Sequence, residues 1–542
     1  MAKRRMKTLQ LPGLSNTYYF TEEAEDFSTT KAYAIGDYCI YEGVLYRFTA
    51  AHAAGAWNAA HVTDVYLADD VKALRNSAVI NSHHYGARWD KTTHTMTRTG
   101  DAAEITTILT NFAHRGSVNA NYDNPFDNIY PWSGRRLCNI SLDLYKNRAS
   151  GSRLTDCVVA WEGDPDFSYE HTNGVWVYTP EFWGCGYDDA GYRYFEVTDK
   201  PAGGLVHYPE RIKGRWHGRT VTVTLDGVET DVFLPVLGMP DKNISQVTLH
   251  TRAKAYGGTL DNIFTVDADT LLCIVEFCGM NIQSALGSGC DSMYRQSSDK
   301  FTADATDSTT VRVAKSAGAA FCIPGAIFDI GTANGGIQVG SFQIISVEED
   351  GTDLVLTLDR AVTVTTANFW SVHGICNVAD AEIGSKSGYI GTNGKCNAYY
   401  RGAVIYGNLW FYVLGGYRET GTQHIWIAAN EEDADAADAL DTSKHIDTGL
   451  VLPSSNGYVK TLGLLERSGL LSCPPFCTEI GGSSTDPVGD YFYTNSSAGN
   501  TVLRVGGSAS DGAYAGPFYG YWSSAASYSY WSFAARPVLK SP

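Results

Sequence analysis

No run in these 542 residues approaches the roughly 18 consecutive apolar residues of a membrane-crossing helix. The opening MAKRRMKTLQLPGLSNTYYF is basic and then turns polar, without the apolar stretch of a secretion signal. Positive charge is scarce. Forty-one Lys and Arg face 59 Asp and Glu, and the net charge of −18 argues against the basic face of a nucleic-acid binder. There is no CxxC pair and no His at zinc-like spacing from paired cysteines. GxSxG, a Gly-rich phosphate loop and HExxH are missing as well. Nucleophile-elbow hydrolysis, P-loop phosphoryl transfer and zincin chemistry therefore have no motif to rest on. A glycosidase would need two carboxylates flanking a sugar cleft, a pairing made in space and not in sequence.

Aromatic residues and glycine are plentiful: 33 Tyr, 12 Trp, 21 Phe and 55 Gly, the pattern of many short strands and turns. The length suits two to four domains. The twelve cysteines are expected as reduced, buried thiols. The tightest pair, Cys473 and Cys477, brackets Pro-Pro-Phe and reads as two small residues in a stiff loop. The C-terminus is the most unusual stretch. Between Val505 and Arg536 stand seven Ser, seven Ala, five Gly, five Tyr, two Trp and two Phe, with no Lys, Glu, Leu or Ile. Disordered tails are poor in aromatics, and core strands favour Val and Ile. Rigid Tyr and Trp among adaptable Ser and Gly match the composition of an evolved binding surface.

Taken in order, residues 1–16 read as an arm, either a frayed terminus or an attachment segment for a larger particle, and 17–69 as a small β module. Tyr38, Ile40, a Glu42-Gly43 turn, Val44, Tyr46 and Phe48 give a hairpin pattern. This module resembles chitin-binding-like modules of phage tail proteins and glycosidases. That resemblance makes Tyr46 and Trp57 candidates for stacking on sugar rings; a core role is the competing assignment, because the module has few other large residues. Residues 70–118 form a connector, extended around YGARWDKTTHTMTRTG, with His83, His84 and His94 as solvated loop histidines. LLCIVEF, 271–277, is a buried strand or helix, and Asn408–Val413 a core strand. Residues 297–373 shift to Val, Thr, Ala and Asp and read as an inserted small β domain or barrel. Its ends, Ser297 and His373, are expected close together. The acidic run NEEDADAADALD, 430–441, lacks the Gly and terminal Glu of an EF-hand and is expected as a solvated turn or short helix.

The succession PFDNIYPWSGRRLCN, LLCIVEFCGMNIQSALGSG, NGKCNAYYRGAVIYGNLWFYVLGGY and the closing LRVGGS…AGPFYGYWS…WSFAARPVL resembles the C-type-lectin-fold variable proteins of diversity-generating retroelements, found at phage tail tips. The resemblance covers 119–296 and 374–542. It implies an α+β, strand-rich chain with a C-type-lectin domain, related in fold to formylglycine-generating enzymes, carrying an all-β insert and the small N-terminal β module. It also implies a non-catalytic receptor-binding tail protein in the virion, a homotrimer that contacts a host cell-surface receptor and other tail proteins, with no cofactor, metal or nucleic acid. Diversification at template adenines converts Asn codons into Ser, Ala, Gly, Tyr, Asp or Phe codons. On this basis the exchangeable face is Ser508, Ser510, Asp511, Tyr514, Tyr521, Ser523, Ser524, Tyr528, Tyr530, Ser532 and Phe533. The fixed frame is Gly506, Gly507, Gly512, Gly516, Phe518, Trp531 and Arg536. The chain departs from the enzymatic relatives, which use reactive cysteines near the C-terminal end; its last 65 residues contain none. The EPN, QPD and WND motifs of Ca²⁺-dependent sugar-binding lectins are missing too. A polysaccharide-degrading tail enzyme and a structural decoration protein of the virion are the competing functions.

Overall fold

The computed structural model describes residues 8–10, 17–19, 26–41, 44–64, 83–106, 108, 123–149, 152–200, 210–223, 234–290, 293–379, 388–390, 396–436, 438–463 and 474–540. Strands dominate, with 42% strand and 15% helix spread over several sheets, so the fold is α+β and strand-rich. The chain divides into two compact units. The first spans Met1–His84 with Thr198–Pro209, and the second Tyr85–Val197 with Glu210–Pro542.

In the first unit, Tyr38–Tyr41, Val44–Phe48 and Val62–Asp64 form a three-stranded antiparallel sheet. Tyr41 pairs with Val44, the register of a two-residue hairpin connection. Its core is Tyr33, Cys39 and Phe48, with half-buried Tyr46 and Trp57 packed against it. Tyr41 covers one face of Trp57 at 4.1 Å and 7°, while Tyr46 and Phe27 meet it edge-on at 4.8 and 5.0 Å. Tyr46 and Trp57 thus spend much of their ring surface on each other and on the core.

In the second unit, the stretch expected as connector contributes two strands. His84–Asp90 and Met96–Gly100 close a five-stranded sheet beside Tyr192–Thr198. His94 is not a free loop side chain: it lies 5.9 Å from the Trp89 ring and pairs with Asp486 at 2.9 Å. The run 271–277 is helical, the last half of Ile263–Phe277. Asn262 caps this helix by accepting from the Phe264 and Thr265 amides, and Thr265 Oγ1 accepts from the Asn262 amide in return. Almost every residue of it is buried, so its apolar character runs all round instead of along one stripe. Three of its buried residues, Asp267, Asp269 and Glu276, are carboxylates, and two of them meet cations. Asp269 meets Arg135 and Arg536, and Glu276 meets Arg401.

The insert is a six-stranded antiparallel sheet running from Tyr294–Lys300 to Phe369–Ile375. Tyr294 stands opposite His373 and Gln296 opposite Ser371, so the two ends of the segment are neighbours. Its edge strands meet through a Phe301–Val313 bridge, reinforced by the Thr302 amide donating to the Arg312 carbonyl at 3.0 Å, and the sheet closes on itself. Phe328, Ile330, Ile344, Leu356, Trp370 and Val372 fill it.

The acidic run forms a short helix, Glu431–Ala436, and it is less solvated than its composition suggests. Glu431 meets Arg215 and Lys540, and Asp435 meets Lys540 at 2.8 Å and accepts from Thr259 Oγ1. Asp438 meets buried His250 at 2.7 Å. The charges are partners for a basic patch brought from distant segments. The eleven described cysteines form no disulfide with one another; Cys278 is half-buried and the others are buried. Cys473 lies outside the described residues.

Candidate functional site

The C-terminal stretch begins as the centre of a nine-stranded sheet. Thr501–Val505, buried throughout, lies between Trp410–Arg418 and Gly520–Trp522. Every residue of Trp410–Arg418 is buried too, so the platform under the stretch is rigid on both sides. At the strand's end, Gly506 and Gly507 take φ of +100° and +81°, a region glycine enters without strain. A Cβ on Gly507 would lie 2.7 Å from that of Ala515, and one on Gly516 would strike the Asp490 carboxylate. The following loop is tied down at both ends. Asp511 accepts from the amide and hydroxyl of Ser508 at 2.6 and 2.7 Å, and the Gly512 amide donates to the Cys290 carbonyl at 3.1 Å.

Asp490 anchors the loop's far side. It is wholly buried and accepts from the Phe518 amide at 2.7 Å and from Gln283 Nε2 at 2.8 Å. Gln283 Nε2 also reaches the carbonyl of Ala513 at 3.2 Å. Burial pushes the Asp490 carboxyl up to about 7, against the pull of those two hydrogen bonds. An unfolded aspartate titrates near 4. Between about pH 4 and 7 the unfolded chain has therefore released this proton while the folded chain holds it, and stability falls as pH rises through that window. Asp490→Asn cannot ionise. The stability difference between wild type and this variant, from urea melts, should shift in favour of the variant from pH 5 to pH 8, by on the order of 2–4 kcal/mol. A difference constant with pH would show that Asp490 is ionised throughout.

The second half of the stretch is held by its backbone. Tyr412 donates its hydroxyl to the Tyr528 carbonyl at 2.6 Å, and the Asn243 amide donates to the Tyr530 carbonyl at 3.0 Å. Trp531 turns inward and stacks on His373 of the insert at 4.3 Å and 20°, with Tyr294 at 5.5 Å. His373 meets Asp329 through Nδ1, and Lys242 Nζ reaches both oxygens of that carboxylate at 2.8 and 2.9 Å. Burial raises the Asp329 carboxyl, but Lys242 and His373 outweigh it and hold it at about 2. Trp531 thereby joins the stretch to the insert across an ionised, fully buried pair. Trp531→Ala should cost about 3–5 kcal/mol in chemical denaturation, the usual cost of emptying a tryptophan site.

The frame residues Gly506, Gly507, Gly512, Gly516, Phe518, Trp531 and Arg536 are all buried. The expected face divides. Ser510, Tyr514, Tyr528 and Tyr530 are exposed, the three tyrosines by 42%, 49% and 44%. Asp511, Tyr521, Ser523 and Ser524 are half-buried. Ser508, Ser532 and Phe533 are buried and are corrections to the expected face. Ser508 spends its hydroxyl on Asp511. The Ser532 carbonyl accepts from the Trp410 amide, which starts the parallel pairing of Phe533–Ala534 with Trp410 and Phe411. Phe533 lies under the Arg504 guanidinium at 4.1 Å, a cation–π contact inside the core.

Other segments add rings beside the stretch, with Tyr458, Tyr491 and Tyr493 half-buried and Trp410 buried. Rings follow one another without a break from Tyr458 through Tyr514, Tyr491, Tyr519, Trp410, Tyr521, Phe533, Tyr530 and Trp531 to His373, with successive centroids no more than 5.9 Å apart. Tyr493 stacks on Tyr521 at 4.9 Å and 8°. Tyr458, Tyr491 and Tyr493 were not singled out from the sequence. The alternation Tyr491-Phe-Tyr493 carries a signal for two of them, since it puts both tyrosines on the same side of one strand and the buried Phe492 on the other. The chain matches no protein-family model, and comparison with curated proteins finds no match.

Proposed function

We propose that the chain is a non-catalytic receptor-binding protein of a phage tail tip or fibre. Its C-terminal surface, carried on a C-type-lectin-type domain, would grip a host cell-surface protein or glycan. The observation that carries this reading is the division of labour in 505–536. Tyr514, Tyr528 and Tyr530 stand in solvent, while glycines, Trp531 and Arg536 beneath them are buried and fixed. A pre-set backbone keeps the entropy lost on binding small. Rigid aromatic side chains then supply large contact area with few rotors to freeze. The same arrangement lets side chains on the face be exchanged while the fold stands, which is what diversification by a retroelement requires. Several copies on one particle would convert modest single-site affinity into firm attachment.

Two experiments test this reading. Purified chain in excess should block adsorption of the parent particle to susceptible cells; unchanged adsorption would refute receptor binding. The coding segment for 505–536 should have an adenine-rich near-copy beside a reverse transcriptase gene, and a genome without one would remove the diversification but not the adhesion.

A further inference from the structure

Cys290 and Cys396 come from the two sides of the insert and meet at Gly407. Both are completely buried. The Cys290 amide donates to the Gly407 carbonyl at 2.9 Å, and a Cβ on Gly407 would strike the Cys396 carbonyl. The Cys290 thiol is a neighbour of the Cys396 thiol and raises its pKa. Cys396 Sγ also lies 3.5 Å from Asn408 Oδ1, and the Asn408 amide group clasps the Ile375 backbone at 3.0 and 2.7 Å, where the insert's last strand ends. The Cys290 carbonyl receives the Gly512 amide of the loop that carries Tyr514. The pair therefore occupies the joint between the insert, the 396–408 hairpin and the C-terminal loop.

We propose that Cys290 and Cys396 are a disulfide-forming pair, reduced as the chain folds and closed by oxidation after it leaves a reducing compartment. Neighbouring cysteines whose backbones are both held against Gly407, in one buried cluster, need little backbone movement to reach bonding geometry. With a peroxide as oxidant the chemistry balances. One thiol takes the peroxide oxygen to become a sulfenic acid, releasing water. The second thiol attacks that sulfur, the S–S bond forms and a second water leaves. Burial favours a small oxidant and makes the reaction slow, because it holds the Cys396 thiol far above its ordinary range and the Cys290 thiol beside it adds to the effect. The closed loop would hold about a hundred residues, the whole insert among them, a length at which cross-linking removes much unfolded-state freedom.

The test uses the full chain, purified with reductant, then treated with hydrogen peroxide, alkylated in denaturant, digested and mapped by mass spectrometry. The expected result is a Cys290–Cys396 linked peptide, with a melting temperature raised by roughly 5 °C and returned by reductant. Cys396→Ala should give no such peptide, leave Cys290 open to alkylation and show no rise. Recovery of both cysteines alkylated after treatment, or of Cys290 linked elsewhere, would overturn the pairing. A linked form that melts no higher would overturn its stabilising role. If Cys396→Ala fails to fold, the wild-type map decides alone.

Discussion

Arg536→Met should destabilise the second unit by about 3–5 kcal/mol, as large a loss as that expected of Trp531→Ala. Arg536 sits within four residues of the last described position, yet it is 2% exposed. Its guanidinium reaches in three directions: Nε to Asp261 at 2.6 Å, Nη2 to Asp269 at 3.0 Å and Nη1 to the Val404 carbonyl at 2.8 Å. Asp261 opens the loop that caps the buried helix, and Asp269 lies at that helix's middle. Burial weighs against ionising either carboxylate, but Arg536 with Arg135 and His217 overcomes it, and both stay well below the usual range. Methionine would keep much of the volume and leave two buried carboxylates short of a cation. Arg536→Lys should recover only part of the loss, because one ammonium cannot satisfy three separated acceptors as a planar fork does. Asp261→Asn in the Arg536→Met background should restore some stability by removing one orphaned charge. Urea melts of the four proteins measure this. An Arg536→Met melt within about 1 kcal/mol of wild type would mean the network carries no net weight.

That network also shows what sequence can and cannot reveal. Arg536 was expected in the frame only through the resemblance of the closing segment, and the structure buries it. Its carboxylate partners, more than 250 positions earlier in the chain, were not legible. The run at 271–277 read as a buried strand or helix, and the Asn262 cap with Thr265 three residues on decides for a helix. The insert was legible from its change in composition, and its strands start at Tyr294, a few residues ahead of that change. Charge misled twice for one reason. The 430–441 run and His94 both look solvated in isolation, and each has partners from distant segments. Exposure within the C-terminal stretch was legible where a tyrosine has no local use for its ring, as in Tyr514, Tyr528 and Tyr530. It was not where a short side chain is consumed nearby, as in Ser508, or where a ring is needed to cover a buried cation, as in Phe533. Local composition records which residue types a surface uses; which of them face outward depends on long-range pairing.

Tyr528→Ala and Tyr530→Ala should each lower affinity for the partner by on the order of tenfold while leaving the melting curve almost unchanged. The separation follows from how this segment is held. The bonds fixing residues 528 and 530 run through their backbone carbonyls, to the Tyr412 hydroxyl and the Asn243 amide, and survive truncation of the side chains. The two rings lie 6.4 Å apart at 20° and touch Phe533 only at their inner edges, at 6.1 and 5.8 Å. Nearly half of each is in solvent, so a stability loss within about 1 kcal/mol is expected. Aromatic anchors of this kind carry much of an interface's free energy, and about 1.4 kcal/mol lost is tenfold in dissociation constant. The double variant should lose more than either single one. Binding of purified chain to susceptible cells gives the affinity, and calorimetry of the same samples gives the stability. Tyr514→Ala forms the third arm, since its ring lies tilted against Tyr491 at 4.4 Å and 34° and it sits toward the opposite end of the ring series. A loss confined to Tyr528 and Tyr530 would place the partner beside the insert. A loss shared by all three would spread it across the whole aromatic face. Unchanged binding in all three would remove the C-terminal surface from attachment altogether.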